Sequence, residues 1–155
     1  MPIPTVGSPA PPFELLSDEG QAVRLVDLRG HPVVLYFYPR DDTPGCTVEA
    51  CAFRDDHRAY RDGGAVILGV SPDSVASHKK FKAKFQLPFP LLADPGHKVA
   101  DAYGVWGEKK RAGRTTMGIR RTTFLIGPDG RVLRVFENVK ADGHSREILE
   151  VLRSR

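Results

Sequence analysis

Residues 33–51 read VVLYFYPRDDTPGCTVEAC, and most of the fold can be argued outward from them. Val33 to Tyr38 is an unbroken run of β-branched and aromatic residues, the composition of a central strand buried on both faces. Pro39 ends it, because proline has no N–H to give a ladder. Polar residues follow, and then Thr43-Pro44, an N-cap residue type with proline at the first helical position. A buried strand feeding a helix through a short polar turn is a building unit of α/β folds.

The same signals recur along the chain. Ala65 to Val70 (AVILGV) and Thr122 to Ile126 (TTFLI) read as further buried strands. Helices are expected over Pro44–Arg61, Ser74–Phe85, His97–Tyr103 and Gly143–Arg153, the second with His78, Phe81 and Phe85 on one face. Pro128-Asp129-Gly130 reads as a hairpin turn into the alternating run Arg131–Phe136. Gly7 to Pro12 is proline-rich and reads as extended, and the segment before Thr122 reads as a loop. The order predicts an α/β fold with a central mixed β-sheet flanked by helices.

A chain of 155 residues suits one domain, 1–155, with a real core. At 41% hydrophobic and 27% charged residues, disorder is excluded. No apolar run nears the roughly 18 residues that span a bilayer, and the N-terminal MPIPTVGSPAPPFELL has no signal-peptide pattern, so a cytoplasmic protein is expected. Two cysteines rule out a disulfide scaffold and a four-cysteine metal site, and the five scattered histidines offer no zinc spacing. Each histidine reads as a surface or satisfied core residue. No Gly-rich phosphate loop, serine nucleophile elbow or metal motif is present, so neither cofactor nor metal is expected. The net charge of +4 is mild. Lys79, Lys80, Lys82 and Lys84 read as a solvated helix face. Lys109, Lys110, Arg111, Arg114, Arg120 and Arg121 form a second basic cluster, but no groove-reading or aromatic-interleaved pattern accompanies them, and no nucleic-acid partner is expected.

With Thr43 as N-cap, Cys46 falls at the third helical position, among unpaired N–H groups at the positive end of the helix dipole. That position favours a thiolate. It also lies beyond the carboxyl end of a central strand, where open α/β sheets bind ligands. Cys46 therefore reads as a nucleophilic thiol in a mouth rather than a core filler. Cys51, inside the helix, reads on its own either as a small buried residue or as a second redox thiol.

The spacing is informative. On an ideal helix, residues five apart lie about 140° and about 7.5 Å apart in rotation and rise, so their Cα atoms are about 8–9 Å apart. A disulfide tolerates about 7 Å. Cys46, Ala50, Phe53 and Tyr60 share one face and Cys51 faces elsewhere, so the pair can bond only if the first turns unwind.

At these residues the sequence resembles the peroxiredoxins, and most closely the bacterioferritin comigratory protein or peroxiredoxin Q subfamily. FYPRDDTPGCTVEACAFRD, GVSPDSVASHKKF, PLLADPGHKVADAYGVWGEK and MGIRRTTFLIGPDGRV carry the resemblance, which spans nearly the whole chain. The pattern Pro-x-x-x-Thr-x-x-Cys stands as Pro39, Thr43 and Cys46. The resemblance implies a thioredoxin-like fold, which the order of elements satisfies, and reduction of hydrogen peroxide and organic hydroperoxides in antioxidant defence. It implies Cys46 as the peroxidatic and Cys51 as the resolving cysteine, joined in an intramolecular disulfide and recycled by thioredoxin or a similar dithiol. Pro39 and Thr43 match residues that shield the site and hydrogen-bond the peroxide, and Arg121 matches the family arginine. Strand neighbours point to opposite faces, so only one of Arg120 and Arg121 can face Cys46. A monomer is expected, since Cys51 can resolve within the chain.

Overall fold

The computed structural model of the protein describes residues 2–154; Met1 and Arg155, the ends of the expected domain, and the side chain of Arg111 lie outside the described residues. Its centre is a seven-stranded mixed sheet. The expected strands are β3 (Val33–Phe37), β4 (Val66–Ser71), β8 (Thr122–Ile126) and β9 (Val132–Phe136). Three short strands join them: β1 (Glu14–Ser17), β2 (Ala22–Arg24) and β5 (Leu91–Ala93). The order is β2-β1-β5-β4-β3-β8-β9. β3 pairs parallel with β4 and antiparallel with β8, so it is central, as its composition requires.

Alternate residues of β3 enter two cores. Val33, Leu35 and Phe37 pack with Leu68, Val70, Tyr103, Phe124 and Ile126 on one face. Val34 and Tyr36 pack with Ile67, Leu91 and Leu125 on the other, under helices α1 (Pro44–Asp55), α2 (His57–Asp62), α3 (Val75–Phe85) and α5 (His144–Arg153), which supply Ala50, Phe53, Tyr60, Phe81 and Ile148. The short α4 (Lys98–Ala102) lies on the first face with Ala100 buried.

Two expectations are corrected. The helix expected over Pro44–Arg61 is broken at Asp56, whose φ of −95° and ψ of 4° leave the helical region. The Asp56 carboxylate accepts from Ser145 Oγ at 2.8 Å, and Tyr60 Oη donates to the Ser145 carbonyl at 2.6 Å, so the break docks α2 on α5. The segment expected as a loop before Thr122 is a two-stranded hairpin, β6 (Trp106–Arg111) and β7 (Arg114–Ile119). Its turn places Ala112 and Gly113 at φ of 52° and 78°, both positive as a type I′ turn requires. Polar strands without apolar alternation hid it from a hydrophobic-pattern reading.

Trp106 stacks on His97 with ring centroids 3.8 Å apart, a local contact, whereas Tyr103 is a full core residue whose hydroxyl donates to the Pro11 carbonyl at 2.7 Å. Within the lysine run, Lys82 pairs with Asp18 and Lys84 with Asp42, and Lys79 and Lys80 are exposed.

Candidate active site

α1 starts as its sequence dictates. Thr43 is the N-cap with extended backbone, φ −100° and ψ 156°, and Pro44 opens the helix. The first intrahelical donor is Thr47 N–H, to the Thr43 carbonyl at 2.8 Å, which leaves the N–H groups of Gly45 and Cys46 as orphans of the first turn. The Thr43 hydroxyl does not cap. It donates to the Arg40 carbonyl at 3.0 Å. Its proton is thus already committed, and toward a substrate it offers lone pairs.

Cys46 is 2% exposed, deeper than a thiol in an open mouth. The inner face of α1 packs over Tyr36 of β3, whose ring stacks on Phe53 with centroids 4.8 Å apart, and Cys46 shares that face with Ala50 and Phe53. Cys51 is half-buried on another face of the same helix; both cysteines are free thiols. The intact helix does not bring them together. Pro39 is half-buried just past the end of β3.

Arg121 comes from the junction between β7 and β8. One guanidinium nitrogen donates to Cys46 Sγ at 3.2 Å and the other to Glu49 Oε1 at 2.7 Å. Gly45 makes room: a Cβ there would lie 3.2 Å from Arg121 Nη2. Arg120 points away and donates to the Gly104 carbonyl at 2.9 Å. Both arginines lie between the strands rather than in one, and their side chains go to different partners; it is Arg121 that faces the thiol.

Glu49 was not singled out by the sequence reading. It is 1% exposed, three residues after Cys46 and so on the same helical face, the one signal that points to it. Burial pushes its carboxyl up to about 7 although Arg121 pulls it down. Among the described residues, its Oε2 has no hydrogen-bond partner, nor does the buried Tyr36 hydroxyl. Burial, and next the charge of Glu49, hold that phenol neutral.

The turn before α1 is held by a second buried network. His78, 0% exposed, has Nε2 2.9 Å from the Leu92 carbonyl and Nδ1 2.8 Å from Asp41 Oδ2. A carbonyl only accepts, so Nε2 donates to it, and Nδ1 faces the Asp41 carboxylate. Tyr38 Oη and Ser77 Oγ also donate to Asp41, at 2.6 and 2.8 Å. Asp73 Oδ2 accepts from Asp41 N–H and Ser71 Oγ, each at 2.7 Å. Asp41, Asp73 and His78 bring possible metal-ligand atoms within 4.8 Å, but these hydrogen bonds engage them as a structural clamp.

The AhpC/TSA family matches residues 6–135. The peroxiredoxin Bcp of Bacillus subtilis is 51% identical over 148 residues, covering 96% of this chain and 94% of its own. Among solved structures, a Cys-to-Ser mutant of the Xylella fastidiosa PrxQ superposes with a TM-score of 0.93 at 34% identity, covering 99% of this chain and 98% of that one. The bacterioferritin comigratory protein of Xanthomonas campestris, described for alkyl peroxide reduction through trapped intermediate and ligand complexes, gives 0.87 at 39% identity, covering 92% and 90%.

The chain belongs to the AhpC/TSA family, in the peroxiredoxin Q group also called bacterioferritin comigratory proteins. Its fold is the thioredoxin fold, and its activity is that of the group: it is an oxidoreductase, a thiol peroxidase. Among the described residues, no helix is long and apolar enough to cross a membrane.

Proposed function

We propose that the protein, as one domain and a monomer in the cytoplasm, reduces hydrogen peroxide and small organic hydroperoxides through Cys46 and Cys51 and is recycled by thioredoxin or a similar dithiol. The Cys46 thiolate attacks one peroxide oxygen. The O–O bond breaks, the other oxygen leaves as hydroxide or alkoxide and is protonated, and Cys46 becomes a sulfenic acid. The Cys51 thiol condenses with it, releasing water and leaving the Cys46–Cys51 disulfide. Exchange with an external dithiol restores both thiols.

The observation that carries this reading is the Arg121 guanidinium 3.2 Å from Cys46 Sγ. Lowering a thiol's pKa is a weak lever, since nucleophilicity falls with it. Most of the rate must come from charge stabilisation as the O–O bond breaks. Arg121 and the orphan N–H groups of Gly45 and Cys46 are fixed donors for that charge. Thr43 takes a different part from theirs: with its own proton on the Arg40 carbonyl, its oxygen accepts the O–H of the peroxide. Pro39, having no N–H, shields the site without competing for it. A cytoplasmic setting suits two cysteines that must return to thiols. Resolution by a thiol five residues away needs no second chain.

The test is peroxide consumption with a thioredoxin system. Cys46→Ser abolishes turnover, and Cys51→Ser retains one round of reduction but is not recycled by thioredoxin. Full activity of purified Cys46→Ser overturns the assignment.

A further inference from the structure

We propose that Glu49 is a proton-linked latch on α1: it holds a proton while the helix is wound and releases it to solvent when the first turns open, so that rising pH favours disulfide formation. The second half of this proposal rests on the Cys46–Cys51 reading above; the first half does not.

Position makes Glu49 part of the moving segment. It lies between Cys46 and Cys51, so no unwinding that joins them can leave it in place. The segment is fixed at both ends. Upstream, Asp41 is held by Tyr38, Ser77 and His78. Downstream, Arg54 donates to the Phe85 carbonyl at 2.8 Å and Asp56 is tied to Ser145. Between these clamps, the side-chain bonds to the rest of the fold among the described residues are those of Arg121 with Cys46 and Glu49, and the exposed Lys84–Asp42 pair.

Its surroundings favour the neutral acid. Oε1 has one ion pair and the buried Oε2 none, so an ionised Glu49 leaves half its acceptor capacity unmet. The cation it faces is shared, because Arg121 also serves Cys46 on the same helix. From β3, Tyr36 brings a neutral hydroxyl, and from α5, His144 stands near enough to feel Arg121 and is itself held toward its neutral form by burial. One positive charge thus answers for both side chains.

The sign follows from proton binding. The buried carboxyl titrates at about 7, against an ordinary value of 4.5 once solvated. The wound state binds more protons between these values, so opening becomes easier as pH rises from 4.5 to 7, and is flat outside that window. The full span is at most about 300-fold in the opening constant, of which about 50-fold falls between pH 5 and 7.5.

The experiment measures amide exchange of residues 46–52 in Cys46→Ser, which removes the thiol's own titration, with intrinsic rates divided out. The opening constant rises about 50-fold from pH 5 to 7.5 in Cys46→Ser and less than about threefold in Cys46→Ser with Glu49→Gln. Equal slopes in the two proteins overturn the latch. Should the glutamine variant not fold, carbon NMR of the Glu49 carboxyl in Cys46→Ser decides alone, and titration near 4.5 overturns it. Peroxide-treated wild type separates the two readings: absence of the disulfide overturns the redox half, while disulfide formation with a flat opening constant overturns the latch only.

Discussion

Arg121 reaches across 75 residues of sequence to donate a hydrogen bond to Cys46 Sγ at 3.2 Å. Replacing it with alanine removes the donor aimed at the proposed peroxidatic sulfur. Single donors of this kind typically contribute about 100- to 1,000-fold in rate. Stopped-flow peroxide reduction against pH is the measurement. Arg121→Ala should stay slow at every pH, and a variant that recovers fully in alkali would show that the guanidinium only eases ionisation.

Oxidation should loosen a bounded stretch of α1. For the proposed disulfide to form, the Cys46–Cys51 gap of about 8–9 Å on an ideal helix has to close below about 7 Å. Opening near a helix start costs little compared with global unfolding, and Gly45 weakens this start by about 1 kcal/mol relative to alanine. Amide exchange in the oxidised protein should accelerate from Cys46 to about Phe53, stop by the Asp56–Ser145 tie, and leave β3 unchanged. Equal protection of α1 in both redox states would exclude the intrahelical disulfide and require a thiol from another molecule.

Gly69 should be intolerant of any side chain. It stands opposite Tyr36 in the parallel β3–β4 pair, and a Cβ there would lie 2.8 Å from Tyr36 Cζ and Oη. Gly69→Ala should cost about 1–3 kcal/mol, as overpacking does. Tyr36→Phe removes a buried hydroxyl that has no partner, so by itself it should be neutral or stabilising. In the double variant, urea melts should show part of the alanine cost recovered, because one of the two clashing atoms is gone.

The clamp before α1 should behave as a buried pair. His78→Leu leaves Asp41 buried and without its imidazole partner, a change that typically costs about 3–5 kcal/mol. Thermal or urea unfolding reads the loss directly. A cost below about 1 kcal/mol would mean that Tyr38 and Ser77 alone satisfy Asp41.

What the sequence determined by itself is the frame around the thiol: a strand buried on both faces, a proline stop, an N-cap with proline at N1, and Cys46 at the third helical position. These are local signals, set by backbone sterics, orphan N–H groups and apolar runs that interact within a few residues. Tertiary structure decided the rest. Glu49 resembles any surface glutamate of a helix until α1 lies on β3 and Arg121 arrives from 72 residues away. The direction of the Thr43 proton depends on where the Arg40 carbonyl falls, and the break at Asp56 depends on Ser145, 89 residues downstream. The β6–β7 hairpin carries its pairing in the backbone, where a pattern of side chains cannot show it. Burial and long-range pairing set whether a carboxyl is charged or a thiol is shielded, and both exist only once distant segments have been packed together.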